Sequence, residues 1–144
     1  MEKQKPIYTD YGMTQWHWLV RNKDNLKLGE NTEIGAFTVI DALNNVVIED
    51  NVKIGYGAKI LSNSSIGNKK GPITLKENCC VGANTVVMPN VIIGKNSIVG
   101  ANSFVSKNIP DNEIWVGNPA KFFKRILKED EKFVYDPHGS YGKL

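Results

Sequence analysis

The chain has 144 residues, enough for one domain with a buried core. Its apolar and charged fractions lie near globular averages and its formal charge is only +3, which argues against disorder and against a nucleic-acid binder. No apolar run approaches the ~20 residues of a membrane span, and the opening MEKQKPIYTDYGM lacks the apolar stretch of a secretory signal.

Residues 1–27 read as a cap, with His17 between Trp16 and Trp18 in TQWHWLV. From Leu28 onward aliphatic residues recur every sixth position: Leu28, Ile34, Ile40; then Ile48, Ile54, Ile60, Ile66; then Leu75, Val81, Val87, Ile93, Val99, Val105. Gly often follows, and a small or branched residue such as Thr38, Ala58, Thr85 or Ser103 comes four positions later. A period of six is neither 3.6 nor 2, so it fits neither an amphipathic helix nor an alternating strand. A short strand and a tight corner, repeated, gives two inward side chains per six residues. Asn31, Asn51, Asn78, Asn84, Asn96 and Asn102 fall at the corner, where positive φ is needed. Three such sides close a triangular coil whose equivalent positions recur every eighteen residues, as VGAN does at Val81 and again at Val99 with Gly100, Ala101 and Asn102.

The expected coils are 28–45, 48–73, 75–92 and 93–110, with two extra residues at Asn44-Asn45 and a loop from Asn68 to Pro72. The domain 28–117 is then followed by a helix over 118–134, with Asn118 at its N-cap, Pro119 at N1, and Phe122, Phe123, Ile126 and Leu127 on one face. A tail, 135–144, carries His138. Four coils are thin for a monomer, so the flat sides are expected to pair with threefold symmetry. Cys79 and Cys80 are neighbours on a strand and point to opposite faces. Reduced thiols and a cytoplasmic location follow.

These repeats, together with KNIPDNEIWVGNPAKFFKRI, resemble the hexapeptide-repeat acyltransferases over roughly Leu28 to Ile126. The resemblance implies an all-β, left-handed parallel β-helix, a homotrimer with sites between subunits, and acetyl-CoA as acyl donor. Ala83 and Ala101 then lie along the pantetheine, while Gly117, Asn118 and Lys121 meet the nucleotide end of CoA and Lys107 pairs with a phosphate. Many members carry a histidine base in an I-L-S/T-H-D segment. Here the stretch is KILSNSSIGNKKGPI, with Asn63 and Ser64 at those positions, and the only histidines are His17 and His138.

A hydroxyl acceptor gains ~10²–10⁴-fold from a positioned base, whereas a free amine attacks a thioester unaided. The lost histidine therefore favours N-acetylation. The resemblance narrows to the N-acetyltransferases of nucleotide-linked amino sugars, in which an Asn of a VGAN corner contacts the amine; Asn84 matches it, with Asn63 and His17 as further substrate contacts. The acceptor is expected to be a 3- or 4-amino deoxyhexose for glycan synthesis. A sugar O-acetyltransferase and a non-catalytic trimeric scaffold are the alternatives. The carbonic anhydrase branch of the fold needs three histidines on neighbouring coils, so no metal is expected.

Overall fold

The computed structural model of the protein describes residues 4–127. The chain winds through five turns of a three-sided solenoid. The first turn carries β1 (Leu19–Arg21), β2 (Leu26–Leu28) and β3 (Glu33–Ile34), and the second β4 (Val39–Asp41), β5 (Val46–Ile48) and β6 (Lys53–Ile54). The third has β7 (Lys59–Leu61), a protruding hairpin of β8 (Asn63–Ser64) and β9 (Lys69–Lys70), then β10 (Ile73–Leu75) and β11 (Cys80–Val81). The fourth has β12 (Val86–Val87), β13 (Ile92–Ile93) and β14 (Ile98–Val99). The fifth has β15 (Phe104–Val105) and β16 (Glu113–Val116), which β17 (Lys121–Arg125) follows.

Stacking the turns makes three faces. The first is β1-β4-β7-β12-β15, the second β2-β5-β10-β13, and the third β3-β6-β11-β14-β16 with β17 on its edge. All pairs between turns are parallel. Strands pair twenty residues apart in the first turns (Leu19 with Val39) and eighteen apart later (Val86 with Phe104). The second residue of each first-face strand points inward, so Val20, Ile40, Ile60, Val87 and Val105 form one buried column. Thr38, Ala58, Thr85 and Ser103 fill the corner behind it. Thr85 hides its hydroxyl by donating to the Gly100 carbonyl at 3.0 Å. Where two turns come closest there is no room for a side chain: a Cβ on Gly82 would lie 2.4 Å from the Ala101 nitrogen.

The sequence reading needs three corrections. The coil starts at Leu19, one side of the prism earlier than expected, because Asn22–Asn25 makes the same two-residue detour as Asn44-Asn45. Trp18 closes that end, buried and edge-on to Tyr8 with ring centroids 6.1 Å apart. Ile66 is not a core rung: the insertion opens at Asn63, and Ile66 is 87% exposed at the hairpin tip. The helix expected over 118–134 is absent from its described part. The chain turns at Gly117 (φ 99), and Lys121–Arg125 pairs antiparallel with β16. The last parallel strand leaves an open row of backbone groups, and a strand satisfies it where a helix cannot. The run KFFKR fits either structure by periodicity alone. Residues 128–134 lie outside the described residues.

Candidate functional site

All three edges of the prism carry left-handed asparagines, and two of them differ in bonding state. On the edge from the second face to the third stand Asn31, Asn51, Asn78, Asn96 and Asn112. The Asn31 amide donates to Asn51 at 2.7 Å, Asn78 to Asn96 at 3.2 Å, and Asn96 to Asn112 at 3.0 Å. Acids beside them accept the next free N–H groups: Asp50 from Glu30 at 2.7 Å and Asp111 from Lys95 at 2.8 Å. These asparagines hold the coil together.

On the edge from the third face to the first stand Asn84 (φ 57) and Asn102 (φ 58). Their backbone N–H groups donate to Tyr56 and Ala83 carbonyls of the preceding turn, both at 2.9 Å. Their side-chain amides have no hydrogen-bond partner among the described residues. The residue below Asn84 is Gly57, and Asn84 Oδ1 lies 2.6 Å from where a Gly57 Cβ would be. The N–H groups of Ala83 and Ala101, the corner residues preceding the two asparagines, are also without a protein acceptor among the described residues.

The same edge continues to the C-terminal end. Gly117 accepts from the Phe104 N–H at 2.9 Å and Ala120 donates to the Phe104 carbonyl at 2.8 Å, which lays Gly117 and Asn118 over the last turn. The Asn118–Pro119 bond is cis, and Lys121 opens β17. Ala83, Asn84, Ala101, Gly117 and Asn118 therefore line one edge. The other expected site residues are elsewhere in the chain. Asn63 pairs with Lys70 in the hairpin, and Lys107 follows β15; both sit on the edge between the first and second faces. His17 is at the N-terminal end of the Asn84 edge, where its carbonyl accepts from Phe37 at 2.7 Å. It stands three turns from Asn84, ~14 Å at strand spacing.

Sequence reasoning passed over Phe37, Tyr56 and Lys59. Phe37 and Tyr56 are 73% and 68% exposed on the Asn84 edge, and the Lys59 ammonium donates to the Gly57 carbonyl between them and Asn84. The signal was available: at these corners the repeat puts bulky residues where it elsewhere puts Asn, Gly or Ala. Beside the edge, a groove on the third face runs past Lys53, Cys80 and Ile98 to Ala101. Burial pushes the Cys80 thiol above its ordinary range, against a smaller pull down from Lys53. Cys79 points into the core, where burial raises its thiol much further. Neither is a ready nucleophile. Among the described residues no three metal-ligating side chains converge.

Residues 72–107 match the family described as bacterial transferase hexapeptide (six repeats). No curated protein sequence matches the chain. A hexapeptide-repeat-containing acetyltransferase from Vibrio cholerae, VCA0836, superposes with a TM-score of 0.72 at 23% identity, over 77% of this chain and 68% of that one. AntD, an N-acyltransferase from Bacillus cereus solved with dTDP and 3-hydroxybutyryl-CoA, superposes with 0.65 at 21% identity, over 81% and 80%. The polySia-specific acetyltransferase NeuO gives 0.64 at 28% identity, over 71% of this chain and 53% of its own. The chain carries the bacterial transferase hexapeptide repeat and shares the β-solenoid fold of the hexapeptide-repeat acetyltransferases.

Proposed function

We propose that the protein is an acyltransferase that uses acetyl-CoA, and more narrowly an N-acetyltransferase whose acceptor is a nucleotide-linked amino sugar, a 3- or 4-amino deoxyhexose destined for a glycan. The observation that carries this reading is the unpartnered amide of Asn84, on an edge where Gly57 lies one turn below it, Ala83 and Ala101 beside the corners are small, and the one histidine among the described residues, His17, is three turns away. A mutant of AntD, which has the same fold, has been solved with dTDP-4-amino-4,6-dideoxyglucose and CoA, and this supports the acceptor class.

The pantetheine arm lies along Ala101 and Ala83, where small side chains leave the backbone N–H groups open to its carbonyls. Gly117, Asn118 and Lys121 face the nucleotide end of CoA. The acceptor amine donates a hydrogen bond to Asn84 Oδ1, which aims its lone pair at the thioester carbonyl. An amide cannot remove a proton, so none is taken by the enzyme at this step. The C–N bond forms as the carbonyl pair moves onto oxygen, where N–H donors stabilise it. Collapse breaks the C–S bond, and the departing thiolate takes the proton from nitrogen to leave an amide and CoA thiol. Alignment of the two substrates supplies much of the rate.

The subunits pair through the first face, whose outward column is Leu19, Val39, Lys59, Val86 and Phe104, half-buried and apolar except at Lys59. That face is bordered by the edges that carry Asn63 and Asn84, so a threefold assembly sets one subunit's Asn63 or Lys107 beside the next subunit's Asn84. The protein works in the cytoplasm, where its free thiols stay reduced.

The test is thiol release from acetyl-CoA with nucleotide-linked 3-amino and 4-amino sugars and their hydroxyl counterparts. Turnover with amino sugars alone supports the reading. Turnover with the hydroxyl sugars instead moves it to O-acetylation, and an absence of both turnover and CoA binding leaves a scaffold.

A further inference from the structure

Thirteen described non-glycine residues have positive φ, and eleven of them are asparagine. The two exceptions are His17 (φ 66) and Phe37 (φ 65), and both lie on the Asn84 edge. Asparagine tolerates this region; a bulky side chain is strained in it. Phe37 does not offset that strain by burial, since its ring is 73% exposed. Strain that the fold does not need is a pointer to function. One turn further on, Tyr56 is also exposed, and Gly57 beside it has no side chain, so that the Asn84 amide oxygen takes the place of one. The position of a Gly57 Cβ would be 2.6 Å from Asn84 Oδ1 and 3.9 Å from Lys59 Nζ. Lys59 gives one N–H to the Gly57 carbonyl, and an ammonium has three.

Two exposed rings, an ammonium and an open amide thus follow one another along this edge around Gly57. A ligand that uses all of them has a planar ring, an anionic centre and a hydrogen-bonding group in that order along the edge. We propose that this stretch of the edge holds the nucleoside diphosphate of the acceptor: the base stacks on Phe37 and Tyr56, Lys59 pairs with a phosphate, and the sugar reaches Asn84. Phe37 and Asn84 are two turns apart, ~10 Å at strand spacing, which leaves room for the phosphates between ring and amide. The acceptor then arrives from the N-terminal side of Asn84 and the acyl donor from the C-terminal side. This rests on the nucleotide-linked acceptor proposed above.

CoA also carries a base and phosphates, so the test must tell donor from acceptor. Thymidine diphosphate, uridine diphosphate, thymidine and CoA are titrated calorimetrically into the parent protein, Phe37→Asn and Lys59→Gln. Phe37→Asn installs the residue used at the other left-handed corners, so its melting temperature should equal or exceed the parent's. A nucleoside diphosphate should bind about tenfold more weakly to Phe37→Asn, within the range for a lost base–aromatic stack. Lys59→Gln should weaken the diphosphates about tenfold and leave thymidine unchanged. CoA affinity should be the same in all three proteins. CoA binding without nucleoside diphosphate binding overturns the proposal and leaves the acyltransferase reading standing. Diphosphate binding that both variants leave intact, or a loss of CoA affinity in Phe37→Asn, overturns it too. If neither ligand binds the parent, both readings fall.

Discussion

From Asn31 to Asn51, and again from Asn78 through Asn96 to Asn112, side-chain amides pass hydrogen bonds from turn to turn along one edge of the prism. On the neighbouring edge Asn84 and Asn102 have the same residue type and the same left-handed backbone, yet their amides stay open among the described residues. Neighbours alone do not account for it: Asn102 stands one turn above Asn84, as Asn96 stands one turn from Asn78, yet only the second pair is bonded. Below Asn84 the edge offers Gly57 and then Phe37. Residue type and φ therefore do not separate a ladder asparagine from an open one; the side-chain bonds do.

The largest effect should come from a change that both edges share in consequence. Gly82→Val places carbon within 2.4 Å of the Ala101 backbone, which no rotamer relieves. It should cost about 3 kcal/mol or more and abolish a cooperative melt followed by circular dichroism. Next comes Asn96→Gly, which keeps the left-handed corner and removes both of its ladder bonds. At roughly 1 kcal/mol per bond, the melting temperature should fall by several degrees while turnover is unchanged.

Gly57→Asn attempts to turn one edge into the other by adding the missing amide below Asn84. Its side chain displaces Asn84 Oδ1, so turnover should drop about tenfold, equivalent to ~1.4 kcal/mol, without a lower melting temperature. The smallest effect concerns the thiols on either side of the third face. Cys80 should react with a thiol reagent only slowly at neutral pH, because burial raises its pKa and depletes the thiolate. Its labelling rate should climb as pH passes the ordinary thiol value of about 8.5, while Cys79 stays unlabelled until the protein unfolds.

The coil was legible because its determinants are local. Every corner needs a residue that tolerates positive φ, and every third of a turn needs an inward aliphatic. Ile40, Ile54, Ile60, Val87 and Val105 are all buried where the six-residue spacing puts them. What failed was decided by contacts the sequence does not display. Ile66 keeps the spacing but rides out on the hairpin. KFFKR became a strand because β16 offered an open edge. The site was legible only in part, since Asn84 and Asn51 look alike in one dimension. Phe37 could have been found as a bulky apolar residue at a corner that takes Gly at 57 and Asn at 84 and 102.

The most direct measurement is turnover beside thermal melting for Asn84→Gly, with Asn96→Gly as its counterpart. Glycine keeps the left-handed corner, as Gly57 already does one turn away, so Asn84→Gly removes the amide and nothing else. The account predicts a loss of about 10²-fold in turnover, typical of a lost hydrogen bond to the reacting groups, with the melting temperature within about 2 °C of the parent. Full turnover with a lowered melting temperature would make Asn84 a structural corner like Asn96, and the distinction between the two edges would fail.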